Sequence, residues 1–124
     1  MEHLTAEDLL MIADEVLGAA AVTDVGLLDS AAHRPQASVF GRDAYPTIHE
    51  KAAALLDAVV RHHALVDGNK RLGWAAAVVL YDLNGLELNP PSVDEAVELV
   101  VAVAAGHLDL GKLSGRLASW THER

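Results

Sequence analysis

Apolar residues recur every three to four positions along most of the chain, which is the spacing of helices that bury one face. The first such segment follows Thr5, a residue whose side chain can cap a helix. A shorter segment starts near Thr23 or Asp24. The two segments predict a first helix and a second, shorter one.

Two longer segments of helical spacing occupy residues 46–62 and 69–84, and we expect them to be central. Pro46 fits the first turn of the first segment, and Gly85 is a good stop for the second. In the second segment, the residues predicted to face inward are Leu72, Ala75, Ala76, Val79, Leu80 and Leu83.

The rest of the chain predicts two more helices and one break. Ser92 and Glu95 form a capping-box pattern before a helix that extends to about residue 105, and Asp109 can cap a last helix. Pro35 and Gly41 interrupt residues 34–44, which predicts a short flap or hairpin there. The fold class is therefore all-α, a bundle of about six helices with a short flap.

Composition supports one domain over residues 1–124 and excludes several classes of protein. The chain has 52% hydrophobic residues, only five aromatic residues and no cysteine, which favours a helical core and excludes thiolate metal sites. No apolar run reaches the roughly 18 residues that span a bilayer. The acidic N-terminal sequence lacks the basic start of a signal peptide, so we expect a cytoplasmic location and no membrane role.

The formal net charge of −9 disfavours direct binding of nucleic acid, which needs a basic face. The acidic residues are concentrated at one end, because residues 1–33 hold seven acids and no Lys or Arg. Any anion that binds this chain must therefore use a local positive site rather than the overall field.

Such a site is predicted in the turn between the two central helices, where residues 63–71 read HALVDGNKR. His63 can accept a proton near neutral pH, and Asp67 is the kind of hard oxygen donor that holds Mg²⁺ together with substrate phosphates. Gly68 permits an unusual backbone conformation and close approach of an oxyanion. Each residue alone has an ordinary structural explanation, but all of them occur within nine positions.

The residues after Gly68 open the second central helix. A helix N-terminus offers unpaired N–H groups to an anion, and Asn69 can cap the helix or orient a phosphate. Lys70 and Arg71 are electrostatically disfavoured in a first turn unless an anion or a carboxylate offsets them. The motif thus combines a base, a metal ligand, an anion site and two cations. This combination predicts phosphoryl or nucleotidyl transfer.

The motif resembles the signature of the Fic/Doc family, roughly HPFxxGNGRxxR in Fic proteins and HxFxxxNKR in Doc-like toxins. The resemblance covers roughly residues 24–90 and includes the stretch RPQASVFGRDAYPTIHEKAAALL. It implies an all-helical fold with the motif loop between two central helices. It also implies that His63 is the base, that Asp67 holds Mg²⁺, and that residues 38–43 align the target segment. The residues implied to hold the nucleotide phosphates are Gly68, Asn69, Lys70 and Arg71.

Two departures from the Fic pattern matter. Leu65 replaces the usual Phe that anchors the loop, and Trp74 stands in place of the second arginine. With Lys70 also replacing the last glycine, the chain resembles the Doc branch. That branch implies catalysis by His63, Asp67, Lys70 and Arg71, with transfer of the ATP γ-phosphate to a threonine of elongation factor Tu. It also implies inhibition of translation and growth, and neutralisation by a cognate antitoxin.

Two alternatives stay open at this point. The same site in the Fic sense would be a protein AMP transferase. A protein of a different class, a catalytically silent module that binds an antitoxin or another protein, would have the same fold without Mg²⁺-dependent binding of ATP.

Overall fold

The computed structural model describes all 124 residues and contains six α-helices, as predicted. The helices are α1 (Ala6–Leu17), α2 (Val25–His33), α3 (Ile48–His62), α4 (Asn69–Leu83), α5 (Val93–Ala104) and α6 (Leu110–Ser119). A 3₁₀ turn (Arg34–Gln36) precedes a hairpin of β1 (Ser38–Val39) and β2 (Arg42–Asp43). The second antiparallel pair is β3 (Leu86–Leu88) with β4 (Thr121–Glu123). The all-α prediction, including the short flap, is confirmed.

Five of the six helices begin with a side chain that accepts a hydrogen bond from the first turn. These N-caps are Thr5, Asp24, Thr47, Ser92 and Asp109. The exception is α4, whose N-cap Gly68 has no side chain to offer. The first turn of α4 is therefore left without a side-chain cap, and this is the helix that begins in the motif.

Two details of the predicted helix starts need correction. Pro46 does not lie in the first turn of α3, because the helix begins at Ile48 after the N-cap Thr47. The capping box at Ser92 is half formed: the Glu95 N–H donates to the Ser92 hydroxyl, while the Glu95 carboxylate accepts from that hydroxyl instead of the backbone. Both helices nevertheless start within two residues of the predicted positions.

Helix α3 lies at the centre of the bundle, where it packs against α2, α4, α5 and α6. It approaches α4 closely at Gly73, where a methyl group would lie 2.5 Å from Cγ2 of Val60. The buried face of α4 is Leu72, Gly73, Ala76, Ala77, Leu80 and Tyr81. The inward placement of Leu83 was wrong, because that side chain is exposed while Tyr81 is fully buried.

The β3–β4 pair was not predicted and holds the C-terminal segment beside the end of α4. Its register joins Leu86 to Glu123 and Leu88 to Thr121. The Trp74 and Trp120 rings meet edge to face at 6.3 Å, with Trp120 buried and Trp74 half-buried. None of the six helices combines the length and the apolar character needed to cross a lipid bilayer.

Candidate active site

The loop between α3 and α4 is fixed by the extended segment that precedes α2. The Thr23 N–H donates to the Ala64 carbonyl at 2.8 Å, and the Val66 N–H donates to the Ala21 carbonyl at 2.9 Å. Leu65 in the middle of the loop is 2% exposed, so leucine fills the anchoring position where the Fic pattern has Phe. The loop therefore behaves as part of the core although it carries no regular structure.

Asn69 closes the same loop from the other side with its buried side chain. Its Oδ1 accepts from the Leu65 N–H and its Nδ2 donates to the Leu65 carbonyl, both at 3.0 Å. Because both backbone groups of Leu65 are inaccessible to water, these two bonds satisfy groups that would otherwise be costly to bury. The resemblance implied a phosphate-binding role for Asn69. In the structure its side chain is bonded within the loop, while its backbone N–H has no partner in the chain.

His63 ends α3 in the left-handed conformation, with φ 54° and ψ 47°. A non-glycine residue in this region is uncommon and points to a site where the surroundings impose it. The imidazole is exposed, while the adjacent His62 is half-buried with an Nδ1 that has no hydrogen-bond partner. The two histidines therefore lie in different surroundings.

Gly68 is favoured by its backbone conformation, and a side chain there would also have to displace Leu17. Its φ of +87° suits glycine, and a methyl group there would lie 2.5 Å from Cδ1 of Leu17 at the end of α1. The sequence argument was that glycine admits a ligand, but the direction a side chain would take is already filled by Leu17. The conformation still serves the site, because it sets the first turn of α4 at the end of the loop.

The first turn of α4 presents three backbone N–H groups, of Asn69, Lys70 and Arg71, without partners in the chain. The first helical bond runs from the Leu72 N–H to the Gly68 carbonyl at 2.9 Å. Unpaired N–H groups and the positive end of the helix dipole attract an anion. The Gly68 N–H itself is occupied by Oδ1 of Asp67 at 2.8 Å.

The predicted site residues share one cavity of about 290 Å³. Its motif residues are His63, Asp67, Gly68, Asn69, Lys70 and Arg71. Arg71 also donates to the Val16 carbonyl at 2.7 Å, so the last turn of α1 offsets one of the two cations. Lys70 makes no hydrogen bond or ion pair within the chain, and its charge is left for a ligand.

Asp67 is the candidate metal ligand, and its second carboxylate oxygen makes no hydrogen bond in the chain. No group of three or more His, Cys, Asp or Glu side chains is arranged to hold a metal ion. The site therefore fits a cation that takes one protein carboxylate and completes its shell with phosphate oxygens and water, as Mg²⁺ does.

An apolar groove of about 380 Å³ begins at the same two cations and continues between α4 and α5. Trp74 lies on its α4 side, and the α5 side carries Val93, Val97 and Val101, which are 78%, 54% and 49% exposed. Three valines at intervals of four residues form an apolar stripe on the outer face of α5 that nothing in the chain covers. This stripe was not predicted as a feature of the site.

The flap is a tight hairpin whose tip carries a fully exposed aromatic residue. Phe40 and Gly41 join β1 to β2, and both have positive φ, 52° and 76°, as two-residue turns of type I′ require. Phe40 is 101% exposed. Sequence reasoning missed Lys51, which is buried beside the flap, although a lysine four residues before Leu55 on an apolar helix face is a visible signal.

Similarity to known proteins shows the family of this chain. A family profile described as the Fic/DOC family matches residues 3–81. The chain is 46% identical over 121 residues to a protein named Toxin Doc from Mycolicibacterium smegmatis (strain ATCC 700084 / mc(2)155), with 96% of this chain and 93% of that protein covered. The chain belongs to the Fic/DOC family.

Proposed function

We propose that this protein is a Doc-type toxin that acts as a protein kinase, transferring the γ-phosphate of ATP to a threonine hydroxyl of elongation factor Tu. The observation that carries the proposal is the shared cavity, in which the uncapped start of α4, the unpaired Lys70 and the imidazole of His63 face one space. The high similarity to Toxin Doc along nearly the whole chain supports the toxin class. Phosphorylation of elongation factor Tu by this protein would arrest translation in the cytoplasm.

The proposed step divides the work among the site residues. His63 accepts the proton of the target hydroxyl while that oxygen attacks the γ-phosphorus. The bond between the γ-phosphorus and the oxygen of the β-phosphate breaks, and ADP leaves. Lys70, Arg71 and the free N–H groups of α4 stabilise the negative charge that develops on the phosphate oxygens. Mg²⁺ held by Asp67 would neutralise further phosphate charge when bound.

Trp74 favours kinase action over AMP transfer. The Fic pattern places an arginine there for phosphate, whereas the indole packs against Trp120 and lines the apolar groove. Lys70 takes the place of the last glycine of that pattern, which adds bulk and charge where the backbone would approach a phosphate. Both changes remove features used in the AMP-transferring orientation, so AMP transfer is the second candidate.

Labelled ATP distinguishes the two reactions. The purified protein is incubated with elongation factor Tu, Mg²⁺ and ATP carrying label in either the γ- or the α-phosphate. Label from the γ-phosphate alone should enter the target protein. Transfer from the α-phosphate would establish AMP transfer. A catalytically silent module would transfer neither label and would show no Mg²⁺-dependent ATP effect on thermal stability.

We propose further that the apolar groove receives the inhibitory segment of a cognate antitoxin. The valine stripe of α5 offers apolar area, and Lys70 with Arg71 offers positive charge at one end. This combination suits an amphipathic segment with an acidic end that folds on binding. A segment seated there would cover the two cations and so block the phosphate site.

Val97→Asp tests the groove, because it places a charge in the middle of the stripe without touching the core. The half-exposed position should tolerate the change with little loss of stability. We expect binding of the cognate antitoxin to weaken by about tenfold or more, since desolvating an unpaired carboxylate is costly. Val25→Asp, at a comparably exposed valine on α2, is the matched control. Equal antitoxin binding by both variants would exclude the groove.

A further inference from the structure

Lys51 is the one buried residue with a charged side chain, and Asn69 is the one with an amide side chain; they lie near opposite ends of α3. Asn69 closes the motif loop that follows the helix, as described above. Lys51, in the first turn of α3, is 4% exposed and lies beside the flap that precedes the helix. A lysine is rarely buried without partners, so its contacts show what it does.

The Lys51 ammonium group contacts the turn that enters the hairpin and the end of the second strand. Its Nζ donates to the Pro35 carbonyl at 3.1 Å, and it lies 3.6 Å from Oδ2 of Asp43. Pro35 belongs to the 3₁₀ turn that enters the hairpin, and Asp43 ends its second strand. One buried group on the central helix therefore joins the start and the end of the flap.

The hairpin needs such an anchor because it has little stability of its own. Its strands contain two residues each, below what an isolated hairpin needs in water. Its exposed tip makes no apolar contact with the core, and all residues of both strands are exposed. Arg34, paired with Asp57 at 2.6 Å, also donates to the Tyr45 hydroxyl at 3.4 Å, so it holds the chain on both sides of the hairpin without touching either strand.

We propose that Lys51 is a positioning residue that holds the flap in one orientation for the protein substrate. The effect on catalysis rests on the proposed function, in which the flap aligns the target segment. The effect on the flap itself does not, because it depends only on the contacts with Pro35 and Asp43. The neighbouring exposed edge of the hairpin would then offer its backbone groups to the target in a fixed register.

The test is amide hydrogen exchange of residues 39–44, measured in the whole protein. Lys51→Met keeps most of the buried volume and removes the ammonium group. We expect exchange in the flap to accelerate by about tenfold or more, since a charge-assisted bond is lost. Lys112→Met, at an exposed lysine of α6, is the matched control and should leave the flap unchanged. Lys51→Arg should restore much of the protection by keeping a donor.

Kinetics give the second readout. With the labelled-ATP assay, Lys51→Met should raise the KM for the protein substrate by about tenfold, with kcat and the affinity for ATP near wild type. A merely structural role would lower kcat and ATP affinity together with the thermal stability. Accelerated exchange without a change in KM would overturn the role in substrate alignment.

A second variant keeps the proposal testable if Lys51→Met does not fold. Asp43→Asn changes an exposed side chain and removes only the carboxylate partner of Lys51. If Lys51→Met does not fold, faster flap exchange in Asp43→Asn supports the proposal and unchanged exchange overturns it. If the wild-type protein transfers no phosphate, the proposed function falls, and the exchange measurement still decides whether Lys51 holds the flap.

Discussion

The motif loop and the flap flank the same helix, α3, but they are held in opposite ways. The motif loop is bonded to residues 21–24 on one side and to the Asn69 side chain on the other, with Leu65 buried between them. The flap is held only at its base, by the buried Lys51 and by the bond from Arg34 to Tyr45, and it ends in a phenylalanine that touches nothing. One loop is continuous with the core, and the other projects from it.

The difference follows from what each loop has to do in the proposed reaction. A base and a phosphate site must be held within a fraction of an ångström, and a loop fixed by buried elements provides this. A surface that meets another protein has to stay exposed, and exposed loops with little support are where such surfaces occur. Mutations should therefore separate chemistry and stability, which depend on the motif loop, from substrate contact, which depends on the flap.

The largest expected effect is on chemistry at His63. His63→Ala should lower the rate of phosphate transfer by about 10²- to 10⁴-fold, since the proton acceptor is lost. The side chain is exposed, so the thermal midpoint should change little. The control is His62→Ala, next to it on the half-buried side, which should keep most of the activity. Near-wild-type transfer by the His63 variant would mean that another group is the base.

The next effect is on the closure of the motif loop. Asn69→Ala should destabilise the protein by about 2–4 kcal/mol, because the Leu65 N–H and carbonyl lose their partners in a buried place. Urea unfolding measures the change. Asn89→Ala, at an exposed asparagine, should cost less than about 0.5 kcal/mol. If both variants cost the same, the loop is not held as the structure indicates.

A substitution at the tip of the flap should stabilise the protein or leave its stability unchanged, in contrast to the loss expected for Asn69→Ala. Phe40→Asn replaces a bulky residue at positive φ with one that tolerates it, and Asn-Gly is the preferred sequence for this turn. Thermal unfolding should show unchanged or higher stability, by up to about 1 kcal/mol. Transfer to the protein substrate should weaken through KM. A loss of stability would mean that Phe40 packs against something in the folded protein.

The smallest effect is a pH dependence at the flap end of α3. His49 Nδ1 lies 2.9 Å from the Tyr81 hydroxyl, and burial lowers the pKa of His49 while it raises that of Tyr81. Below the ordinary histidine pKa of 6.5, the unfolded chain therefore takes up a proton more readily than the folded one. The contribution of His49 to the free energy of unfolding should be fully present above pH 6.5. It should be lost as the pH falls through the lowered pKa of His49 in the folded protein.

Denaturation at pH 7.5 and pH 5.5 measures this effect. His49→Gln should lose less stability on acidification than the wild type. Some dependence should remain, because burial and the nearby Lys51 also lower the pKa of His3. An unchanged difference between the two pH values would show that His49 does not contribute.

Helix positions and the motif could be predicted because they depend on local sequence. Caps such as Thr5 and Asp109 and the spacing of apolar residues define the helices before any tertiary contact is known. Residue spacing alone did not define the buried side of α4, because apolar residues occupy most of the circumference of this helix. Tyr81 rather than Leu83 lies inward, where its hydroxyl is 2.9 Å from Nδ1 of His49 on α3, and sequence spacing does not contain such a contact between helices.

The residues of the candidate site were likewise predictable, whereas their contacts with other segments were not. The nine-residue motif identified the residues around the cavity, because chemistry of this kind uses few residue types. What Asn69, Gly68 and Lys51 contact was not predictable, since Leu65 is four residues away in a loop of unknown path, and Leu17 and Pro35 belong to other segments. The β3–β4 pair was missed for the same reason, as its strands are separated by two helices.

The left-handed backbone at His63 has a consequence for how such a gene would change over generations. The fold would accept glycine or asparagine at this position without added backbone strain, so these two replacements should remove the imidazole at little cost in stability. Under the proposed function, a host would thus select such substitutions at this codon, which abolish activity and leave a well-folded protein. Copies silenced in this way would keep the groove proposed to bind an antitoxin.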